Sequence, residues 1–308
     1  MTMQVVFCDP SADAESWVAS LRRHLPAAQV DNWIDGAAAA DYAVAWAPPQ
    51  AFIDQQTRLK ALFNVGAGVD KLLALKLPPH LTIIRLDDAG MGVQMAEYVC
   101  HAVIRHFREF VQYEAQAAQG VWERRKPHAR SAFAVGILGM GVLGQRVASA
   151  LRHFEFPVNG WSRSHRSVDG VTGYAGLDQL PQFLARSKAV VCLLPLTPDT
   201  RNILSRQTLA QLPTGAYVVN VARGDHLVDE DLLALLDSGH LAGATLDVFR
   251  TEPLPGEHAF WRHPKIRVTP HTSAQTLLED SIAQIADKIL AFDRGAEIAG
   301  RVDAARGY

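Results

Sequence analysis

Short apolar, β-branched runs alternate with segments of helical spacing from the first residues: QVVF, then ESWVASLRRHL, then YAVAW, LFNV and LTIIRL. That rhythm predicts a parallel sheet joined by crossover helices. Met95, Val99, Val103, Phe107, Phe110 and Val111 then recur at helical spacing, which predicts one long connecting or subunit-interface helix over residues 94–120. A polar loop, VWERRKPHARSAF, follows with Pro127, and a second set of strands begins. Residues 134–138, 157–161, 189–193, 217–221, 243–247 and 266–268 read as six strands with helices or loops between them, the pattern of a doubly wound sheet. The tail, residues 276–294, places Leu277, Ile282, Ile285, Ile289 and Phe292 on one face of a final helix, with Gly295 as its stop.

With 308 residues the chain is too long for one ordinary core, so two domains are expected. A formal charge of -2 favours neither nucleic acid nor a membrane surface as partner. Cys8, Cys100 and Cys192 are far apart and form no CxxC pair, which fits a reducing, cytoplasmic setting better than a disulfide framework. The start of the chain lacks a leader pattern and no run of about 18 apolar residues occurs, so a soluble protein is expected. The 12 histidines show no ligand spacing, and no metal is expected.

The segment AFAVGILGMGVLGQRVASAL is an apolar strand running into Gly139, Met140, Gly141, Val142, Leu143 and Gly144, then a helix. The first glycine permits a tight turn, the second lets backbone N–H groups approach a pyrophosphate, and the third allows close helix–strand packing. The helix N-terminus then faces the phosphates. An Asp or Glu about 20 residues further would bind the ribose 2′-hydroxyl of NAD. Arg163 stands there instead, 19 residues after Gly144, with Ser162, Ser164 and Arg166 beside it. A guanidinium fork suits a phosphate dianion, so NADP(H) is the expected cofactor and NAD(H) the second choice.

Ligands of open parallel sheets sit outside the carboxyl ends of the strands. Three ionisable residues fall at or just beyond such ends: Arg223 after the strand closing on Val221, Glu252 beyond Asp247, and His271 in TPHTSA. Reducing a 2-oxo acid requires a grip on the carboxylate, a polarised ketone oxygen and a proton donor. Arg223 serves the first two through paired donors. His271 serves the third, and a neighbouring carboxylate such as Glu252 favours its protonated form and fixes its tautomer. Taken singly, each also reads as a surface ion pair, a turn residue or a satisfied loop histidine.

Together, GILGMGVLGQRVA, LLPLTPDTRNIL, NVARGDHLVDEDLLALLDSGHLAGATLDVFRTEPLP and TPHTSA resemble the D-isomer-specific 2-hydroxyacid dehydrogenases over nearly the whole chain. FNVGAGVDKLL, DAGMGVQMAEYV, GWSRS and the terminal ARGY resemble its branch that reduces glyoxylate and hydroxypyruvate. The resemblance implies two Rossmann-like, doubly wound parallel-sheet domains. The substrate domain, flavodoxin-like, is discontinuous, residues 1–97 plus 275–308, and residues 98–274 form the dinucleotide-binding domain. It implies that Arg223, Glu252 and His271 are catalytic, with Arg223 also gripping the substrate. Ala67 and Gly68 would offer N–H groups to the substrate carboxylate, Trp46 would wall the substrate pocket, Asp247 would contact the nicotinamide, and Leu194 and Pro195 would line the cofactor cleft. By the same analogy the partner is a second copy of the chain, through the long helix and GVWERR. Two departures stand out: Thr272 and Ser273 replace the small apolar residues common after the histidine, and DDAGMGVQ lacks the Asn and Pro common before the long helix. The activity expected is NADPH-dependent reduction of glyoxylate to glycolate and hydroxypyruvate to D-glycerate. A reductase of larger 2-oxo acids and a non-catalytic, dinucleotide-sensing co-repressor stay open beside it.

Overall fold

The computed structural model describes residues 2–10 and 13–307, so Tyr308 of the terminal ARGY lies outside the described residues. The chain divides into two compact units, Met1–Met91 with Thr276–Tyr308, and Gly92–Gln275.

The first unit holds β1 (Met3–Cys8), β2 (Ala28–Asn32), β3 (Tyr42–Ala45), β4 (Ala61–Asn64) and β5 (Thr82–Arg85). All pair in parallel in the order β2-β1-β3-β4-β5, the flavodoxin-like arrangement. Every residue of β3 and β4 is buried, as expected of central parallel strands. The edge strand β2 was not foreseen, because AQVDN buries only Val30 and shows no apolar run. The tail helix, Leu278–Asp293, belongs to this unit and buries Ile282, Ile285, Ala286 and Ile289. Tyr42 donates to Asp293 Oδ1 at 2.7 Å, and Phe292 sits edge-on to both Tyr42 and Phe63.

The second unit holds β6 (Val135–Leu138), β7 (Val158–Ser162), β8 (Val171–Ala175), β9 (Ala189–Cys192), β10 (Ala216–Asn220), β11 (Leu241–Leu246) and β12 (Ile266–Val268). The sheet is parallel in the order β12-β11-β10-β9-β6-β7-β8, so the winding reverses at β6. Seven strands are present where six were expected. The extra one, β8, is an edge strand that buries only Tyr174. Val218 enters one apolar cluster and its neighbour Val219 the other, so both faces of the sheet are covered. Both units are thus Rossmann-like α/β folds.

The single helix expected over residues 94–120 is two, Met91–Phe107 and Phe110–Ala118. Glu109 breaks it with a left-handed backbone, φ 53°, and its carboxylate pairs with Arg125 at 2.8 Å and His128 at 3.5 Å. The loop that follows therefore captures the residue at which helical spacing alone would have continued. Helix Phe110–Ala118 buries none of its residues, so no core contact opposes the break.

Candidate active site

Strand β6 delivers the chain into the glycine turn at the point where the sheet order reverses, where ligands of this architecture bind. Gly139 has φ 105°, and a Cβ there would lie 2.7 Å from the Leu193 carbonyl oxygen. A Cβ on Gly144 would lie 1.9 Å from the Gly139 oxygen, so only glycine allows helix Val142–His153 to approach the strand. A Cβ on Gly141 would meet nothing within 4 Å. Two glycines are thus fixed by packing, and the middle one faces open space at a helix N-terminus, a cradle that fits a pyrophosphate. Met140 is buried, with room on Gly160, while Val142 is exposed.

At the end of β7, Ser162 Oγ donates to the Ser164 carbonyl at 2.7 Å, which curls the loop bearing Arg163 and Arg166, both exposed. Asp169, the nearest acid beyond the strand, is turned to Arg152, 3.2 Å away. Residues 163–168, next to the strand end, carry no acidic side chain to hold a ribose hydroxyl.

Beyond β11 and β12, the structure brings Glu252 and His271 together: Glu252 Oε2 lies 2.8 Å from His271 Nδ1, and its Oε1 accepts from the Phe249 N–H at 2.9 Å. Against a carboxylate the ring must present Nδ1–H, which leaves Nε2 on the opposite edge. His271 has a left-handed backbone, φ 54°, a conformation that side-chain-bearing residues hold only under support. The support is Asp247, which is fully buried. Its Oδ1 accepts from Thr269 Oγ1 at 2.6 Å and the Thr272 N–H at 2.8 Å, its Oδ2 from the Ser273 N–H at 2.8 Å, and its carbonyl from the His271 N–H at 2.8 Å. Tyr98 donates in turn to Thr269; burial raises its pKa to about 12 and keeps the hydroxyl protonated.

Arg223 follows β10 in a turn built by Asn220, fully buried, whose Nδ2 donates to the Arg223 carbonyl at 2.9 Å. The guanidinium Nη1 donates to the Ala222 carbonyl at 2.7 Å. A Cβ on the next residue, Gly224, would lie 1.9 Å from the Phe249 carbonyl carbon, so the Arg223 turn sits directly against the loop carrying Glu252. Arg250 fastens this contact by donating to the Leu227 carbonyl and to Asn202. Val221, just before Arg223, and Leu194, just beyond β9, are both buried, and the Pro195 carbonyl accepts from Thr200 Oγ1 at 2.7 Å.

Trp46, Ala67 and Gly68 lie in the first unit. Asn64, at the end of β4, is buried and donates to the carbonyls of Gly66 and Gly68 at 2.8 and 2.9 Å. A trans peptide whose C=O points at Asn64 points its N–H the other way, so the Ala67 N–H is directed away from the Asn64 side chain. The Trp46 ring fills the space a Gly66 side chain would occupy, 2.6 Å from that Cβ, and Lys71 Nζ stands 5.8 Å from its centre.

Sequence reasoning missed Asn64, Asn220, His226, Thr269 and Tyr98, which hold these segments in place. The one available signal was a polar residue closing an apolar strand, as in LFN and YVVN. Among the described residues, no group of His, Cys, Asp and Glu side chains is arranged to hold a metal, and no helix is long and apolar enough to cross a membrane.

Four similarities to known proteins bear on this geometry. Residues 100–273 match the D-isomer specific 2-hydroxyacid dehydrogenase, NAD binding domain. A protein named glyoxylate/hydroxypyruvate reductase A from Serratia proteamaculans is 46% identical over 313 aligned positions, covering 99% of this chain and 100% of that one. A D-isomer specific 2-hydroxyacid dehydrogenase from Xanthobacter autotrophicus Py2, solved with NADPH and MES, superposes with a TM-score of 0.94 at 37% identity, over 100% of both chains. An NADPH-dependent glyoxylate/hydroxypyruvate reductase from Sinorhizobium meliloti, solved with NADP and sulfate, gives 0.92 at 35% identity over 99% of this chain and 100% of that one. Sequence and fold agree along the full length, and the chain belongs to the D-isomer specific 2-hydroxyacid dehydrogenase family.

Proposed function

We propose that the protein is an NADPH-dependent reductase of small 2-oxo acids, taking glyoxylate to glycolate and hydroxypyruvate to D-glycerate. The observation that carries this reading is the 2.8 Å contact between Glu252 and His271 beyond the carboxyl ends of β11 and β12, in the sheet whose β6 and β10 lead into the glycine turn and Arg223. The relatives from Serratia proteamaculans and Sinorhizobium meliloti are named for both substrates, and the latter for NADPH.

In this reading Gly139, Met140, Gly141, Val142, Leu143 and Gly144 receive the pyrophosphate, and Ser162, Arg163, Ser164 and Arg166 the 2′-phosphate. Leu194, Pro195 and Val221 flank the nicotinamide, and Asp247, fully buried with both carboxylate oxygens engaged, acts through the loop that carries His271. The bound reduced cofactor supplies the hydride. Arg223 holds the substrate carboxylate and polarises the ketone oxygen. His271 gives its Nε2 proton to that oxygen, while Glu252, on Nδ1, keeps the ring oriented and offsets its charge. In the first unit, the N–H groups of Ala67 and Gly68 are carboxylate donors walled by Trp46.

The chain acts as a homodimer in the cytoplasm. Trp122, 97% exposed, with Val121, Phe110 and Tyr113, supplies apolar surface for a second copy, and the three cysteines are buried, free thiols. Sedimentation at micromolar concentration tests the dimer. For the activity, the purified protein is mixed with NADPH and glyoxylate, hydroxypyruvate or a longer 2-oxo acid while cofactor absorbance is followed, with NADH in parallel. Turnover fastest with NADPH and the two small acids is expected; NADPH binding without turnover on any acid would mark a sensor and overturn the reading.

A further inference from the structure

His226 takes no part in the chemistry above, yet it is fully buried between two segments that do. Its Nδ1 lies 3.2 Å from the Arg223 nitrogen and 3.1 Å from the Arg223 oxygen, and its Nε2 lies 3.3 Å from the Pro195 oxygen. A neutral imidazole has one donor and one acceptor. Nε2 faces only an acceptor, so it carries the proton. Nδ1 is then the acceptor for the Arg223 N–H, and the Arg223 carbonyl is already served by Asn220 at 2.9 Å. Burial, seconded by the Arg223 charge against the pull of the two carbonyls and Asp225, lowers the pKa of the ring and keeps it neutral. The Pro195 carbonyl is also held by Thr200, whose Oγ1 receives the Thr197 N–H at 2.9 Å, so the segment His226 reaches is itself a closed turn.

We propose that His226, as its neutral Nε2–H tautomer, is a positioning residue that couples the Arg223 turn to the Leu194–Pro195 segment. This rests on the roles given above to Arg223 and Pro195. One ring sets the spacing between the group that grips the acid and a wall of the cofactor site, and each ring nitrogen serves one of them.

Proton–nitrogen correlation spectra of histidine-labelled protein test the tautomer without any substitution in the sample measured, the signal being assigned by its absence from a His226 variant. An Nε2–H pattern that does not titrate between about pH 6 and about pH 8 is expected; an Nδ1–H or charged ring overturns the proposal. His226→Asn keeps an acceptor at the Nδ1 position but does not reach Pro195, and His226→Gln places a donor at the Nε2 position but offers Arg223 no acceptor. The Asn variant is expected to hold the KM for glyoxylate within about threefold while its NADPH dissociation constant rises roughly tenfold, and the Gln variant to do the reverse. Equal losses in both variants, or none, would show that the ring only fills space. Arg223→Lys, run alongside, separates the two failures: an unchanged glyoxylate KM there sinks the role of Arg223 itself, whatever tautomer His226 has.

Discussion

Glu252 is held by both of its oxygens, one against His271 Nδ1 at 2.8 Å and the other by the Phe249 N–H at 2.9 Å. The acid cannot leave the ring without abandoning a backbone donor, so the pair behaves as a unit. Because His271 has φ 54°, an alanine there would add backbone strain to the loss of the ring. Asn tolerates the left-handed region, and His271→Asn isolates the chemistry. Turnover is expected to fall at least roughly 10²-fold while NADPH affinity, read by fluorescence titration, stays within about threefold. Loss of both together would assign the residue a folding role instead.

Arg163 and Arg166 stand on the loop after β7, where Asp169 is engaged by Arg152. A guanidinium paired with a phosphate dianion is worth more than a neutral hydrogen bond, and NADH has no such phosphate. Replacing both arginines with Ala is expected to raise the KM for NADPH roughly tenfold to a hundredfold and to leave that for NADH within about threefold. Steady-state kinetics with each cofactor decides it; equal changes would remove the 2′-phosphate from the assignment.

The glycine turn, Arg223, Glu252 and His271 were legible in the sequence because each is a local event, a glycine spacing or a charged residue just beyond an apolar run. The two edge strands were not. β2 and β8 each bury one residue, Val30 and Tyr174, and are stabilised by pairing with β1 and β7 rather than by their own pattern. The break at Glu109 depends on Arg125 and His128, residues of the loop beyond the next helix. The supports of the site were hidden for a related reason. Tyr98 meets Thr269 across 171 positions, and Asn64, Asn220 and His226 act mainly on backbone atoms, whose direction only the folded chain defines.

Gly224 separates Arg223 from the Glu252 loop by the width of a hydrogen atom. A methyl group there would lie 1.9 Å from the Phe249 carbonyl carbon and 2.2 Å from the Arg250 nitrogen, both backbone atoms that cannot rotate away. Gly224→Ala is expected to cost about 2 kcal/mol or more of stability and to lower kcat as the two segments are forced apart. Arg250→Ala removes the side-chain half of the same junction, its contacts to Leu227 and Asn202, and is expected to lower kcat with a smaller change in melting temperature, since Arg250 is partly exposed. Wild-type kcat in both variants would show that the junction does not set the site geometry.

His106 stacks on Tyr217, with ring centres 4.3 Å apart and planes 19° from parallel, and tilts against Phe133 at 5.9 Å. Burial, helped by His128, lowers its pKa from 6.5 to about 4. Below pH 6.5 the unfolded chain takes up a proton that the folded ring refuses, so this residue destabilises the fold increasingly as pH falls towards 4 and has no effect above 6.5. A shift of that size corresponds to about 3 kcal/mol across the window. Phe in place of His106 keeps an aromatic stack and removes the titration. The loss of melting temperature between about pH 7.5 and about pH 4.5, followed by calorimetry, is therefore expected to be several degrees smaller in His106→Phe than in the parent chain. Identical losses would show that acid lability originates in other groups and that the folded ring takes its proton as readily as the unfolded one.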